Sequence, residues 1–384
     1  MEVIVLAGGL GTRLRSEVHE LPKCLAPIGG QPFLGYLLEW LGRYPVHHVV
    51  FSVGYLHGQV MDYVQSRQWP FSYHFAVEQT PLGTGGGIHL ALSYCKENQV
   101  FVVNGDTFYP VELNAMPFEA PVTLALKPLK DFDRYGTVSV TEASVVTSFR
   151  EKAPCAEGLI NGGVYAIDRR RLNLDSLPEK FSFEKEVLEP GAAIGQIGGW
   201  ISNAYFIDIG VPEDYRKAQW ALPAWFAVQK ASRAVLAADA QTLFLDRDGV
   251  LNRHLPGDYV RSLAQWEWMP GILPELARWA ARFRRIVLVT NQRGVGRGLM
   301  ADADLSRIHA QMMADILEAG GRIDLILTCT AVSEDDSRRK PNPGMFYEAQ
   351  ALFPDIDAKS SVLLGDSPSD AAFAENCGMQ FILL

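Results

Sequence analysis

The stretch Val3–Lys23, VIVLAGGLGTRLRSEVHELPK, decides the fold of the first half of the chain. Its four leading apolar residues predict a strand that is buried on both faces. Three glycines follow this strand: Gly8, Gly9 and Gly11. Such a turn lets backbone N–H groups approach an anion, and Arg13 and Lys23 add two positive charges. The turn is not a Walker A loop, because no Lys-Ser/Thr pair follows the glycines at the required spacing.

Length and composition fit two ordinary domains in a reducing compartment. The chain has 384 residues, and 48% of them are hydrophobic, which is enough for two buried cores. No apolar run approaches the roughly 18 residues that span a bilayer, and no secretory leader precedes the first strand, so we expect a cytoplasmic protein without a membrane partner. Five scattered cysteines predict reduced thiols. The net charge of −9 disfavours a nucleic-acid partner.

Apolar strands alternate with helical patterns from residue 1 to about residue 222, which predicts an α/β fold with a mostly parallel sheet. Helical spacing recurs over 33–41, and 48–53 has the pattern of a strand. A second glycine-rich turn, Glu78–Ile88, contains four glycines, more than a connection requires.

Two aspartates follow short apolar strands in this half, where open α/β sheets place their ligands. Asp106 follows the strand Val100–Val103, and Asp208 follows Tyr205–Ile207. A single aspartate in this place is often only a helix cap. Two of them could hold one Mg²⁺, which keeps waters and phosphate oxygens as its other ligands.

The pattern GGLGTRL followed by LPK resembles the sugar-1-phosphate nucleotidyltransferases. Further stretches, PIGGQPFL, SVGYL, PLGTGG, NGGVY and FIDIGVPEDY, look most like the D-glycero-α-D-manno-heptose 1-phosphate guanylyltransferases within that family. The resemblance covers almost all of residues 1–222. It implies a GT-A-like fold and two substrates, GTP or another NTP and heptose 1-phosphate, although no residue distinguishes guanine from other bases.

The resemblance also implies the site residues of the first half. For the nucleotide these are Leu6, Ala7, Gly8, Gly9, Gly11, Thr12, Arg13, Lys23, Gln79, Gly83, Thr84 and Asp106. For the sugar phosphate they are Glu151, Lys152, Asn161 and Gly162. Asp106 and Asp208 would hold the Mg²⁺.

The implied reaction is attack by a sugar 1-phosphate oxygen on the α-phosphorus of the NTP, with release of pyrophosphate. Arg13 and Lys23 would act as catalytic cations that neutralise charge. Gln79 is the candidate reader of the base, because an amide both donates and accepts hydrogen bonds. The glycines after Asn161 would leave room for a sugar ring.

The second half begins with a strand, Thr242–Leu245, that ends in DRDGVLN. At this strand end Asp246 can attack phosphorus, while Asp248 can protonate the leaving oxygen and later activate water. Such a pair is a weak signal alone, because half of these matches are caps or turns. Residues 223–240, which are rich in alanine, predict one helix that joins domains 1–222 and 241–384.

Three later signals strengthen the prediction for this half. Thr290 and Asn291 follow a buried strand, Lys340 lies in an RRKP stretch, and Asp366 and Asp370 follow the strand 362–364. The ordered set resembles the haloacid dehalogenase (HAD) superfamily of phosphatases over all of residues 241–384.

This second resemblance implies a HAD-like fold with Mg²⁺ held by Asp246, Asp248 and Asp366. It makes Thr290 and Lys340 catalytic, and it gives Asn291 and Arg339 a place in sugar-phosphate binding. Only about 40 residues separate Asp246 from Thr290, too few for a large cap domain. Loops around 257–268 would therefore choose the substrate.

Within this superfamily, DRDGVLN, TNQxGVGRG, GGRID and RKPNPGM resemble the heptose 1,7-bisphosphate phosphatases, with histidinol-phosphate phosphatases as close relatives. Those enzymes usually hold zinc through three Cys and one His before the RKP motif. Here only Cys329 remains, and other residues take the remaining places: Ala331, Asp336 and Arg338. One thiolate cannot complete a tetrahedral site, so we predict no zinc. Arg293 and Arg338 could contact a second phosphate or be solvated, and the sequence leaves both readings open.

The two halves fit one route, in which a phosphatase removes the 7-phosphate of heptose 1,7-bisphosphate and a transferase activates the resulting 1-phosphate. This joint prediction rests on analogy. Two alternatives stay open: the same activities on another sugar such as mannose 1-phosphate, or a first half that only senses nucleotide sugars. The oligomeric state, a homo-oligomer included, is also left open.

Overall fold

Two compact units make up the computed structural model, Met1–Trp220 and Ala221–Leu384. The structure describes residues 1–9, 14, 17–18 and 20–384. The predictions made for Gly11, Thr12 and Arg13 lie outside the described residues. No helix within these ranges is long and apolar enough to cross a membrane.

The first unit combines a large sheet with short ribbons. Its strands are β1 (Glu2–Leu6), β2 (Pro27–Ile28), β3 (Gln31–Pro32), β4 (His48–Val53), β5 (Ser72–Val77), β6 (Gln99–Asn104), β7 (Thr107–Phe108), β8 (Val122–Phe132), β9 (Thr137–Val140), β10 (Val146–Phe149), β11 (Cys155–Asp168), β12 (Ile197–Ile201) and β13 (Ile207–Asp208). Its helices are α1 (Phe33–Leu41), α2 (His57–Gln65), α3 (Gly83–Leu92), α4 (Glu189–Ala193) and the start of α5 (Pro212–Ala237).

The order β10-β9-β11-β6-β1-β4-β5 describes the large sheet, and β8 and β12 extend it from β11. β1 is parallel to β4 and β6, whereas β11 is antiparallel to β6 and β8. In β1 the side chains of Val3, Ile4 and Val5 are buried and Leu6 is partly buried, because a central parallel strand is covered on both faces. The carboxyl ends of β1 and β6 therefore meet at one edge of the sheet, which positions the first site.

The second unit, in which every residue is described, contains a five-stranded parallel sheet in the order β16-β15-β14-β17-β18. Its strands are β14 (Thr242–Leu245), β15 (Arg285–Asn291), β16 (Leu325–Cys329), β17 (Ser361–Gly365) and β18 (Gln380–Leu383). Its helices are α6 (Ile272–Arg282), α7 (Arg293–Gly296), α8 (Asp302–Glu318), α9 (Gly344–Leu352) and α10 (Pro368–Cys377). Since β14 is central, its carboxyl end lies between those of β15 and β17, and this edge positions the second site.

The α/β class with two units is confirmed, and so are the helix at Phe33–Leu41 and the strand at His48–Val53. Residues 223–237 of the helix predicted over 223–240 belong to the longer helix α5, which includes Pro223 and ends at Ala237. Between β14 and β15 the chain forms one 3₁₀ turn and the helix α6, which agrees with the absence of a large cap.

Candidate functional sites

A cleft of about 330 Å³ opens in the first unit at the carboxyl ends of β1 and β6. Several residues predicted to bind the nucleotide line it: Leu6, Ala7, Gly8, Gly9, Lys23, Gly83, Thr84 and Asp106. Gln79 is exposed, whereas its neighbour Glu78 lines the cleft. The predicted role of Gln79 as base reader therefore stays a prediction, and Glu78 is a lining residue that the sequence did not indicate.

Asp106 and Asp208 are brought together by a short two-stranded ribbon. β13 pairs with β7, so that Asp208 lies opposite Thr107, and the N–H of Ile209 donates to the carbonyl of Asp106 at 3.1 Å. The Lys23 ammonium lies between the two carboxylates, 2.5 Å from Asp106 Oδ2 and 3.4 Å from Asp208 Oδ1. Three residues that are far apart in sequence thus form one charged cluster.

This cluster fits a divalent cation. Burial raises the pKa of Asp208, and the nearby charge of Asp106 raises it further. Two carboxylates this close favour a cation between them, and the Lys23 ammonium already takes that position. The donor set of two carboxylates with an open cleft beside them is what Mg²⁺ uses when phosphate oxygens complete its shell.

The second glycine-rich stretch forms the start of α3. Gly83 has a φ of +75°, and a side chain there would meet the carbonyl of Phe181. Thr84 donates a hydrogen bond to Glu184 at 2.8 Å and accepts one from the N–H of Phe183 at 2.9 Å. The glycines therefore let the helix pack closely against the 181–184 segment, whose Glu184 also lines the cleft.

The Asn161-Gly162-Gly163 stretch forms an irregularity in β11, where its register against β8 shifts between Asn161 and Tyr165. Asn161 donates to the hydroxyl of Tyr165 at 3.0 Å and accepts from the N–H of Gly163 at 3.0 Å. A side chain on Gly162 would meet the ring of Tyr109. The missing side chain of Gly162 thus makes room for the Tyr109 ring, and the predicted contact of Asn161 and Gly162 with the sugar phosphate stays a prediction.

Replacing Gly162 with alanine should destabilise the first unit by about 1–3 kcal/mol, because the added methyl group meets the buried ring of Tyr109. Hydrogen exchange of β11 peptides in the full chain would measure the loss of protection. Gly58→Ala is the matched control, since nothing lies within 4 Å of the added Cβ. Equal protection of β11 in both variants would contradict the expected clash.

Glu151 and Lys152 are both exposed and follow β10. Neither lines the cleft described above. Their predicted contact with a sugar phosphate therefore stays a prediction.

Four charged side chains converge at the carboxyl edge of the second sheet. The buried Lys340 ammonium lies 2.9 Å from Asp246 Oδ1 and 2.5 Å from Asp370 Oδ1. Asp246, Asp366 and Asp370 each offer an oxygen, and these oxygens lie within 4.8 Å of one another. Burial raises the pKa of Asp246, an effect that Lys340 opposes, and it raises that of Asp366, to which Asp370 adds. Three acidic groups around one ammonium can accept a further cation.

The predicted ligand set of Asp246, Asp248 and Asp366 stays a prediction. Asp370 belongs to the group of neighbouring oxygens, and the side chain of Asp248 does not. The two oxygens of Asp370 accept hydrogen bonds from Lys340 and Ser367. Both oxygens of Asp248 are likewise bound. They accept from Arg247 at 2.9 and 3.0 Å, from Asn252 at 2.9 Å and from Gln292 at 2.7 Å.

These donors also set the charge of Asp248. Burial alone would raise its pKa, but Arg247, Asn252 and Gln292 together hold the pKa below its usual value. Asp248 is therefore a carboxylate in the free unit, the form that accepts a proton.

Thr290 and Asn291 end β15 beside this cluster. Thr290 is buried and accepts a hydrogen bond from Gln292 at 2.9 Å. The Asn291 amide, predicted to bond phosphoryl oxygens, instead donates to the carbonyl of Lys340 at 3.0 Å and accepts from its N–H at 3.1 Å. Asn291 thus fixes the backbone that presents the Lys340 ammonium, and its predicted contact with phosphate stays a prediction.

Arg339 is also engaged within the protein. Its guanidinium donates to the carbonyls of Ala331 and Val332 at 3.4 and 3.3 Å and pairs with Glu334 at 3.7 Å. It is only 8% exposed. Arg339 therefore holds the 331–334 loop, and its predicted contact with the sugar phosphate stays a prediction.

The loop before the RKP motif is held by hydrogen bonds. The buried Cys329 thiol lies 3.8 Å from Asp336 Oδ1, and the same oxygen accepts from the N–H of Arg338 at 2.9 Å. The Arg338 guanidinium pairs with Glu348 at 3.0 Å. This pairing gives Arg338 a partner within the protein. For Arg293 the two interpretations, contact with a second phosphate or solvation, both stay open.

Comparison with known proteins assigns each unit to a family. Residues 2–224 match the family described as Nucleotidyl transferase, and residues 243–383 match the family described as Polynucleotide kinase 3 phosphatase. The D-glycero-alpha-D-manno-heptose 1-phosphate guanylyltransferase of Aneurinibacillus thermoaerophilus is 48% identical over 224 residues, which cover 57% of this chain and 97% of the relative.

The second unit has its own relatives. The D-glycero-alpha-D-manno-heptose-1,7-bisphosphate 7-phosphatase of Mycobacterium tuberculosis is 42% identical over 135 residues, which cover 35% of this chain and 71% of the relative.

A solved structure resembles the first unit: HddC from Yersinia pseudotuberculosis, complexed with GMP-PN. It superposes with a TM-score of 0.52 at 34% identity and covers 57% of this chain and 97% of that chain. These findings confirm the resemblance that the sequence of each half indicated. Through residues 2–224 the chain belongs to the nucleotidyl transferase family, and through residues 243–383 it belongs to a phosphatase family.

Proposed function

We propose that the protein is a bifunctional enzyme of nucleotide-activated heptose biosynthesis. Its second unit removes the 7-phosphate of D-glycero-D-manno-heptose 1,7-bisphosphate, and its first unit transfers GMP from GTP to the resulting heptose 1-phosphate. The observation that carries this proposal is the presence of two separate acidic clusters, each at the carboxyl edge of a parallel set of strands and each with one lysine. The relatives of the first unit and those of the second unit are both named for phosphates of D-glycero-alpha-D-manno-heptose, which supports a shared heptose substrate.

In the first unit the chain's own residues bind and position. The backbone of Ala7, Gly8 and Gly9 follows β1 into the cleft and can receive the phosphates of the nucleotide. Lys23 can neutralise charge as pyrophosphate leaves. A nucleotide at Glu78 would meet a hydrogen-bond acceptor, and the complex of HddC with GMP-PN supports a guanine nucleotide as the substrate.

In the second unit Asp246 is the nucleophile. Its carboxylate oxygen attacks the phosphorus of the monoester while Lys340, 2.9 Å away, neutralises the phosphoryl oxygens. Asp248 exchanges protons with the leaving oxygen and then with water. The net charge of −9 argues against a polynucleotide as the phosphatase substrate.

We infer that each cluster works with Mg²⁺. Asp106 and Asp208 would hold the ion in the first unit, and Asp246, Asp366 and Asp370 would hold it in the second. A bound Mg²⁺ would supply charge neutralisation at the phosphate groups in both reactions.

A coupled reaction tests the proposal directly. The full chain is incubated with synthetic heptose 1,7-bisphosphate, Mg²⁺ and an equimolar mixture of NTPs, and products are identified by mass spectrometry. We expect inorganic phosphate, pyrophosphate and GDP-heptose. Formation of a different nucleotide sugar would overturn the choice of base, and activity on mannose 1-phosphate with none on heptose would overturn the choice of sugar. Absence of pyrophosphate release would leave a sensing module.

A further inference from the structure

Beneath Asp248 lies a buried polar cluster of three side chains, Arg247, Gln292 and His309, to which the proposed mechanism gives no role. Arg247 and Gln292 are each 0% exposed. Arg247 donates through Nη2 to both oxygens of Asp248 and to Gln292 Oε1 at 3.0 Å. Its positive charge is therefore balanced by one carboxylate in a buried environment. A buried ion pair is favourable only when its geometry and its further hydrogen bonds are good.

Hydrogen-bond chemistry fixes the state of His309. The Arg247 Nη1 lies 3.3 Å from His309 Nε2. Because a guanidinium only donates, Nε2 must accept, and the imidazole is neutral. Burial and the Arg247 charge agree with this, since together they lower the pKa of His309 to about 4. His309 thus accepts from Nη1 of the Arg247 guanidinium, while Nη2 faces Asp248 and Gln292.

The same chemistry fixes the orientation of Gln292. Its Oε1 must face Arg247, which can only donate, so its amide nitrogen faces Asp248 Oδ2 at 2.7 Å and Thr290 Oγ1 at 2.9 Å. The backbone N–H of Gln292 donates a hydrogen bond to the carbonyl of Cys329 at 2.7 Å. Gln292 is therefore anchored at both ends and cannot rotate without losing several buried hydrogen bonds.

We propose that Gln292 and Arg247 are positioning residues that aim Asp248 at the leaving oxygen, with His309 holding Arg247 in place. The proposal rests on the phosphatase function given above. It predicts that this cluster matters most when the leaving oxygen needs a proton. A cluster that served only folding would have no such dependence on the leaving group.

The step balances as follows. The Asp248 carboxylate first takes up one proton from the solvent. Asp246 Oδ then forms a bond to phosphorus, the bond from phosphorus to the leaving oxygen breaks, and that oxygen takes the electron pair together with the proton on Asp248. Water next attacks the aspartyl phosphate and gives a proton to Asp248. Inorganic phosphate leaves, the Asp246 carboxylate is restored, and Asp248 returns its proton to the solvent.

The test compares two monoesters with different leaving groups in the full chain with Mg²⁺. A sugar phosphate has an alkoxide leaving group that requires protonation, whereas p-nitrophenyl phosphate has a good leaving group. The value of kcat/KM includes only the steps up to release of the alcohol, so later hydrolysis of the aspartyl phosphate does not enter. Gln292→Met, of similar size but without hydrogen bonds, should lower kcat/KM roughly 100-fold for the sugar phosphate. For p-nitrophenyl phosphate the loss should stay below about threefold.

Gln350→Met is the matched control. Gln350 lies in α9, outside this cluster, and the change removes its hydrogen bond to the carbonyl of Ile356. We expect both substrates to keep their wild-type values. Equal losses for the two substrates in Gln292→Met would overturn the positioning role while leaving the phosphatase function intact. A wild-type chain that hydrolyses neither monoester would instead overturn the proposed function.

A second pair of variants keeps the test decisive if Gln292→Met does not fold. His309→Leu removes the acceptor for Arg247 Nη1 and should give the same selective loss, roughly tenfold for the sugar phosphate. His309→Gln restores an acceptor and should recover most of it. Failure of glutamine to recover more activity than leucine would overturn the role given to His309.

Discussion

Replacing Asp246 with asparagine should lower phosphatase turnover by roughly 10⁴-fold and leave nucleotidyl transfer unchanged, because the nucleophilic carboxylate is lost from only one unit. The amide cannot form the acyl phosphate, although it can still accept a hydrogen bond from Lys340. The loss should therefore appear in kcat even when KM changes little. Phosphate release from heptose 1,7-bisphosphate, together with pyrophosphate release from GTP and heptose 1-phosphate, measures both activities in one preparation.

The matched control is Asp355→Asn, a change of the same kind at a residue that pairs with Arg284 and Arg285. We expect it to leave both activities near wild type. Loss of both activities in Asp246→Asn would contradict independent sites. Retention of phosphatase activity would remove Asp246 from the role of nucleophile.

Asp208→Ala should produce the reverse result, with nucleotidyl transfer reduced at least about 100-fold and phosphatase activity intact, because the cluster keeps only one of its two carboxylates. Asp208 Oδ1 also accepts a hydrogen bond from the N–H of Gly210 at 2.7 Å. Alanine removes that bond as well as the charge. Asp208→Asn therefore separates the two roles, since it retains an acceptor for Gly210 and removes the charge.

If the charge matters, asparagine and alanine should be almost equally inactive. An active Asp208→Asn enzyme would reduce Asp208 to a structural residue. Binding of Mn²⁺ to each variant, measured by the loss of the free-ion signal in electron paramagnetic resonance, supplies a readout that does not depend on turnover. Asp214→Asn, which affects a pair with Arg134, is the control.

The sequence was sufficient to predict which strand ends carry the sites. Asp106 and Asp246 each follow a buried apolar strand, and parallel strands bring their carboxyl ends to one edge of a sheet. The positions of Asp106 and Asp208 at strand ends suggested that they could share one ion, and the family resemblance strengthened that pairing. The ribbon of β7 and β13 that joins them was not predicted, because each of its strands has only two residues. The sequence therefore predicted which strand ends lie at the sites. It was less informative about which residues at those ends contact one another.

The direction of individual side chains could not be predicted. Asp248 was expected to hold an ion, and in the structure its two oxygens accept hydrogen bonds from Arg247, Asn252 and Gln292. Asp370 lies beside Asp246 and Asp366 and accepts a hydrogen bond from Lys340. These partners come from separate segments, and a motif does not show which of them lies closer. The one available signal was the arginine between the two aspartates of the DRD stretch, a charged residue that needs a partner when buried.

The glycines of the NGG stretch illustrate the same limit. A missing side chain indicates a close approach, but the sequence does not say what approaches. We expected room for a sugar ring at Gly162, and the structure shows that a side chain there would meet the ring of Tyr109. Tyr109 lies far from Gly162 in the sequence, so only the folded sheet reveals the contact.

The position of Lys23 between Asp106 and Asp208 has an electrostatic consequence for how the first unit attracts its substrates. These three side chains together carry one net negative charge, so by themselves they attract a divalent cation and repel a triphosphate. Once such a cation is present the sign reverses, and the same place attracts anions. The order in which metal and nucleotide arrive would then be governed by the sign of a local field.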